Sequence, residues 1–285
     1  MQKLEQFVQK LKQFMNKNPL RSQSDKGQLT EALSILMEAE ELIANAKNVL
    51  VVTGAGISTD SGIPDFRGPD GVWTKHPEAE KASHINYYMA DPEIRKKNWR
   101  LLASGELWSN IKPNDGHKAL LGLEKEGKLH TLVTQNVDGL HHAAGTDPEK
   151  IVEIHGNIRE AVCLSCDWRD NIEPVLERVR GGEEDPRCEC GGLLKTATIF
   201  FGQMLVPEDL DRMIDALEDS DLLLAIGTSL EVSPVNSVVP GAVEGGKKIV
   251  IVNGEPTSMD MFADVAILGS ISEVLPWLLD NQNSK

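Results

Sequence analysis

The sequence predicts an α/β protein: a parallel sheet with helices on both faces, carrying a second, smaller lobe. Three observations predict it. Short, almost wholly apolar runs recur at 48–53, 129–134, 151–155, 221–227, 248–253 and 265–268. Helical stretches such as 207–218 lie between several of them. Strands buried on both faces read as continuous apolar runs, and their alternation with helices implies a parallel sheet. Two segments, 70–115 and 157–200, break the alternation and read as insertions that together form the smaller lobe.

Taken in order, Leu4, Phe7, Val8, Leu11, Phe14 and Met15 fall at helical spacing, and Asn18-Pro19 ends that pattern. The polar stretch 21–28 is expected to be a flexible joint, so 1–28 stands apart from a main body at 29–285. A second helix follows on Leu29, Leu33, Leu36 and Ile43. The sheet domain takes 29–69, 116–156 and 201–285. The insertion at 70–115 holds Trp73, Tyr87, Tyr88, Trp99 and Trp108 among helix formers; the one at 157–200 holds every cysteine.

Composition narrows the function. With 285 residues, 40% hydrophobic, the chain can bury a real core. Lys plus Arg total 29 against 44 acidic residues, a formal charge of −15, which argues against non-specific binding to DNA or an anionic membrane and suits a basic partner. No run approaches the ~18 apolar residues of a membrane span. Lys3, Glu5, Lys10 and Lys12 interrupt any signal-peptide core, so a cytoplasmic, reducing location is expected.

Ligands of such folds bind at the carboxyl ends of the strands. Thr53-Gly54, Thr134-Gln135-Asn136, His155-Gly156, Gly227-Thr228-Ser229 and Asn253-Gly254 all stand there. Gly54-Ala55-Gly56 fits a pyrophosphate cradle and equally a plain strand-to-helix turn, since Thr59 replaces the third fingerprint glycine. The following loop carries Ser58, Ile63, Asp65, Phe66 and Arg67; Arg67 suits a phosphate and Phe66 a flat heterocycle. Gln135, Asn136 and Asp138 offer paired donors and acceptors for hydroxyls or a carboxamide. His155 is the candidate general base. Thr228, Ser229, Asn253 and Glu255 suit a ribose or phosphate. Cys163-Leu-Ser-Cys166 and Cys188-Glu-Cys190, with 21 residues between them, fit a structural Zn2+ closed by four thiolates. The Cys-x-Cys pair leaves less room for the usual supporting turn.

In this order the residues resemble the sirtuin family of NAD-dependent protein deacylases, from about Ala46 to Leu279. The motifs are Gly54-Ala-Gly-Ile-Ser58, Ser61-Gly-Ile-Pro-Asp-Phe-Arg-Gly68, Thr134-Gln-Asn-Val-Asp138, Leu140-His141, His155-Gly156, Phe201-Gly202 and Gly227-Thr-Ser-Leu230. The resemblance implies a Rossmann-like domain and a small lobe of helical insertion and zinc module, with NAD and an acyl-lysine peptide meeting between them. Gly54, Ala55, Gly56, Asp65, Phe66 and Arg67 would lie at the cofactor loop, and Ser58, Ile63, Asn136 and Asp138 around nicotinamide. Gln135 would contact the nicotinamide ribose. Gly227, Thr228, Ser229, Asn253 and Glu255 would hold the adenosine half, with Ser270 and Ile271 at the adenine. Phe201, Gly202 and Val232 would clamp an extended peptide. His155, Asn136 and Asp138 would be catalytic, and the products would be free lysine, nicotinamide and O-acyl-ADP-ribose.

Gln203 stands where the family usually has Glu, and Lys195-Thr196 where Lys-Pro or Arg-Pro is frequent. No Tyr-x-x-Arg pair occurs, so acetyl is expected over an acidic acyl group. Mono-ADP-ribosyl transfer, NAD hydrolysis or non-catalytic NAD sensing on the same fold are the alternatives.

Overall fold

A computed structural model describes residues 24–105 and 111–280. The amphipathic pattern at 4–15 lies outside them. The first helix among the described residues, α1 (Ser24–Asn45), begins inside the stretch expected to be a joint. Ser and Asp favour helix starts, and the ~1 kcal/mol cost of Gly27 is too small to stop one.

After α1 the chain enters β1 (Val49–Thr53) and a 3-10 turn, Ala55–Ser61. Among the described residues of the first insertion there are four helices: α2 (Val72–Lys75), α3 (Pro77–Ala82), α4 (Ile85–Ala90) and α5 (Pro92–Ser104). Then come α6 (Asp115–Lys125), β2 (Leu129–Thr134), α7 (Leu140–Ala144) and β3 (Ile151–Glu153). The second insertion holds β4 (Glu160–Cys163), β5 (Arg169–Asn171), α8 (Glu173–Arg180) and β6 (Leu194–Thr196). The chain closes with α9 (Pro207–Asp219), β7 (Leu222–Ile226), α10 (Val238–Glu244), β8 (Lys248–Asn253), β9 (Val265–Leu268) and α11 (Ile271–Asp280).

The six apolar runs of the sequence are the six strands of one parallel sheet, in the order β3-β2-β1-β7-β8-β9. Side chains alternate between faces along a strand. Val49 and Val51 therefore join Leu222, Leu224 and Val250 in a core under α1, α6 and α11. Leu50 and Val52 join Leu223, Ala225 and Ile251 in a second core under α9 and α10. Burial on both faces is why these strands show no polar alternation. The third strand stops at Glu153, two residues short of the expected His155, although Ile154 N–H still reaches Thr134 O at 3.1 Å.

The two insertions pack on each other. Trp99 of α5 is buried with Ala161, Ile172, Val175 and Leu194 in a third, much smaller core. The Tyr88 hydroxyl donates to Leu194 O at 2.7 Å. The buried Arg95 guanidinium grips Asp185 through two bonds, at 2.9 and 2.8 Å, and donates to Tyr88 O and Met89 O. Helical insertion and cysteine module thus form one lobe beside the Rossmann-like sheet. Among the described residues no helix is long and apolar enough to cross a membrane.

Candidate active site

Strand β1 lies between β2 and β7, so the chain runs outward to β3 and then returns to the opposite edge of β1. A crevice opens at such a reversal, outside the carboxyl ends. Here Gly54 N–H donates to Ile226 O at 3.0 Å and Gly56 N–H to Gly227 O at 2.8 Å. A Cβ on Gly56 would meet Gly227 Cα at 2.8 Å, and Gly227 itself sits at φ +60. Glycine is needed because two backbones touch and one turns left-handed.

The cleft that opens there measures about 1430 Å³. Gly54, Ala55, Gly56, Asp65, Phe66, Arg67, Gln135, Asn136 and His155 are on its wall. Gly227, Thr228, Ser229, Asn253, Glu255, Ser270 and Ile271 continue it, and Phe201, Gly202 and Val232 stand on it too. Ser58, Ile63 and Asp138 are not on that wall. The Ser58 hydroxyl donates to Asp138 Oδ2 at 2.8 Å, and Asn136 Nδ2 donates to Ser58 Oγ at 3.2 Å and Gly54 O at 3.1 Å. Ser58 and Asp138 thus support Asn136, which faces the cleft. Burial raises the Asp138 carboxyl pKa, and bonds from Leu140 N–H and the Ser58 hydroxyl oppose that rise. Ile63 is tied to the same unit through its N–H to Ser58 O at 3.3 Å.

His155 occupies the turn after β3. Its Nδ1 is 3.2 Å from Gln135 O, and since a carbonyl only accepts, Nδ1 carries the proton. Nε2 is left as the basic nitrogen. Burial lowers the pKa of the ring, the Gln135 carbonyl opposing. Gln135 Nε2 donates to Thr228 Oγ1 at 2.8 Å, joining the ends of β2 and β7 across β1.

Three site-forming residues were not singled out for the site in the sequence. His117, one turn into α6 behind its Asn114 cap, lies 3.5 Å from Ser58 Oγ and 5.0 Å, ring to ring, from His141. Burial pushes His117 down to about 4 and His141 well below the usual imidazole range, so both are neutral at pH 7. A histidine on the apolar face of a helix gives no local signal of this. Trp73 packs tilted against Phe66, ring centroids 4.8 Å apart, approaches Phe201 at 5.6 Å and lies 4.6 Å beneath the Arg67 guanidinium. Glu231 faces Arg67 at 3.9 Å.

Phe201 is held on one edge: its N–H donates to Ser83 O at 2.9 Å and its carbonyl accepts from Ile85 N–H at 3.0 Å. Gln203 closes the turn beyond, with Oε1 accepting Phe200 N–H at 2.9 Å.

In the small lobe the four Sγ atoms of Cys163, Cys166, Cys188 and Cys190 lie within 4.8 Å of one another. The pairs Cys163–Cys190 and Cys166–Cys188 are 3.6 and 3.8 Å apart. Four Zn–S bonds of about 2.3 Å in a tetrahedron place sulfurs roughly 3.8 Å apart, so the set fits a structural zinc. The Cys-x-Cys spacing is accommodated after the pair. Gly191, at φ +84, turns the chain, Gly191 N–H reaches Cys188 O at 2.8 Å, and Gly192 N–H supports Cys190 Sγ at 3.4 Å. Ser165 N–H supports Cys163 Sγ at 3.3 Å.

Fold and site define a nucleotide-binding α/β protein with a neutral histidine in its cleft and a four-thiolate metal module. The family model described as Sir2 family matches residues 54–234. NAD-dependent protein deacetylase 2 of Streptomyces coelicolor is 45% identical over 232 residues, covering 81% of this chain and 96% of that protein. NAD-dependent protein deacetylase 1 of Pyrobaculum aerophilum is 42% identical over 247 residues, covering 86% and 94%. A solved Sir2 protein with a deacetylated p53 peptide and 3′-O-acetyl ADP ribose superposes with a TM-score of 0.78 at 31% identity, covering 86% of this chain and 98% of that one. The chain belongs to the Sir2 family.

Proposed function

We propose that this chain removes acyl groups, acetyl foremost, from protein lysines, with NAD as co-substrate. The observation that carries the reading is the fixed tautomer of His155, which presents a neutral Nε2 to the cleft that Gly54, Gly56 and Gly227 line. When bound, NAD supplies the ribose carbon that takes the acyl oxygen and releases nicotinamide, so that with water the products are free lysine, nicotinamide and O-acyl-ADP-ribose.

The residues divide that work. His155 Nε2 accepts the proton of a ribose hydroxyl. Asn136, braced by Ser58 and Asp138, presents its amide to the nicotinamide side. Gln135 contacts the nicotinamide ribose. The backbone of Gly54–Gly56 and the hydroxyls of Thr228 and Ser229 take the phosphates and ribose, Asn253 and Glu255 the adenosine, and Ser270 and Ile271 the adenine. Phe201 has one edge already paired, so the chain beyond it at Gly202, with Val232 opposite, receives an extended acyl-lysine peptide by strand addition. The insertions 70–115 and 157–200 act as one lobe, with zinc holding its cysteine end. A cytoplasmic site of action agrees with four reduced thiols.

The test incubates the protein with NAD and an acetyl-lysine peptide and follows peptide mass and nicotinamide together. Nicotinamide release that requires the peptide and accompanies loss of acetyl is expected, and H155A should slow it by about 10²- to 10⁴-fold. Equal release without peptide would replace this reading with NAD hydrolysis or ADP-ribosyl transfer. Tight NAD binding with no turnover, on acetyl or longer acyl peptides, would replace it with sensing.

A further inference from the structure

The charged side chains on the cleft wall are unequal. Besides His155 they are the carboxylates Asp60, Asp65, Glu231 and Glu255, and one cation, Arg67, among the described residues. Asp60 already accepts the Ser270 and Ser272 hydroxyls, and Asp65 accepts Gly68 N–H at 2.8 Å. Glu255 stands next to Asn253, at the end of β8. Glu231 is different. It is the neighbour of Val232 at the peptide end, its side chain is 61% exposed, and its ion-pair partner is Arg67, Nε to Oε2 3.9 Å.

That pair spans the cleft from the cofactor loop to the loop after β7. Arg67 also rests on Trp73, which touches Phe201 on the opposite peptide wall. A dinucleotide brings a pyrophosphate with two negative charges into a cleft that offers one guanidinium. Against that, a half-exposed pair at 3.9 Å is weak. A phosphate within reach of Arg67 would outcompete Glu231 for the guanidinium, and Glu231 would then be an unpaired carboxylate beside a bound peptide. Across from it Gln203 is neutral and its carbonyl oxygen is already occupied by Phe200 N–H. Among the described residues of the cleft wall, the peptide end would be left with one free charge, and it is negative.

We propose that Glu231 selects acyl-lysine peptides with a basic side chain close to the acyl-lysine, and that cofactor binding exposes this selectivity by drawing Arg67 away. The inference rests on the deacylase reading for the identity of the two ligands. It makes Glu231 a shared element between the cofactor and substrate sites.

The test uses acetyl-lysine peptides in which Lys or Glu is scanned through the two positions on each side. Binding is read by fluorescence polarisation with and without ADP-ribose, and turnover by nicotinamide release. The whole protein should favour Lys over Glu at one or more positions by about two- to fivefold, the range of one exposed ion pair. The ratio should grow when ADP-ribose is present and shrink at high salt. E231Q should bring the ratio near one, and E231K should invert it. Each readout is a ratio, so a general loss of activity cancels. An unchanged ratio in E231Q, or a larger ratio without ADP-ribose than with it, overturns the proposal. Absence of peptide-dependent nicotinamide release in the unaltered protein would instead overturn the deacylase reading, and the binding arm distinguishes the two.

Discussion

The Nδ1 of His155 donates to the backbone carbonyl of Gln135 across 3.2 Å, so the end of β2 sets which nitrogen of a histidine beyond β3 is basic. Burial adds to this by penalising the imidazolium, and it lowers the pKa of His155. As the proposed general base His155 acts in its neutral form, and a depressed pKa keeps the ring neutral to a lower pH. The acid limb of kcat/KM against pH should therefore have its midpoint below the ordinary histidine value of about 6.5. H155A should lose about 10²- to 10⁴-fold in kcat, the usual contribution of a general base. A midpoint above 7 would remove His155 as the group that titrates.

Gly156 follows that histidine at φ +71, and a Cβ there would lie 2.0 Å from Ala197 O. Rigid backbone cannot yield cheaply at such a distance. Gly156→Ala must shift either the His155 turn or the 197–200 segment that leads from β6 to Phe201. The expected cost is at least about 2 kcal/mol, strain and overpacking together. Denaturant unfolding reads that loss, and residual folded protein should show a larger fall in kcat than in NAD affinity. A variant of unchanged stability and activity would mean that the two segments separate freely.

The sheet was legible because strands buried on both faces have to be continuous apolar runs, and β1, β2, β7, β8 and β9 are such runs. The site was legible where it sits at strand ends, as with Gly54, Gln135, His155 and Gly227. Depth was not legible. Ser58 and Asp138 share motifs with residues on the wall, yet they stand away from it and brace Asn136, because loop membership does not reveal which side faces a cleft. Pairings between distant segments were equally hidden. Arg95 finds Asp185, Tyr88 finds Leu194 and Arg67 finds Glu231 through the packing of separate segments, and no local periodicity reports that.

The small lobe is expected to depend on a metal held by its four cysteines. Its core is a handful of side chains around Trp99, and β4, β5 and β6 are each only three or four residues long. A core of that size supplies little stability by itself, while a closed four-thiolate site links metal binding directly to folding. One zinc per chain is expected by elemental analysis, with loss of it in C188S or C190S. Chelation should remove hydrogen-exchange protection across 160–196 while the six-stranded sheet keeps its own. Full protection in metal-free protein would show that Arg95, Tyr88 and the apolar contacts suffice.

Lys195 provides a test of burial that is independent of catalysis. Its side chain is 2% exposed, and Nζ donates to Thr196 O at 2.7 Å and to Thr198 O, with the Phe200 ring 4.8 Å away. Carbonyls and a ring face it, without a paired carboxylate. Burial, helped by the Arg169 charge, brings the ammonium pKa down to about 8. In the unfolded chain it returns to about 10.4. Below about pH 8 both states hold the proton, and the full cost of the buried charge is present. Between those values the unfolded chain retains a proton that the folded chain has released, so stability rises with pH in this window. The whole window is worth up to about 3 kcal/mol. K195M removes the titration, and comparison with it cancels every other group. From pH 7.5 to 9.5 the unfolding free energy of the native sequence should therefore gain about 1–2 kcal/mol relative to K195M. A difference that stays constant with pH would mean that solvent reaches Lys195 and that the 196–200 segment, on which Phe201 depends, is looser than these hydrogen bonds imply.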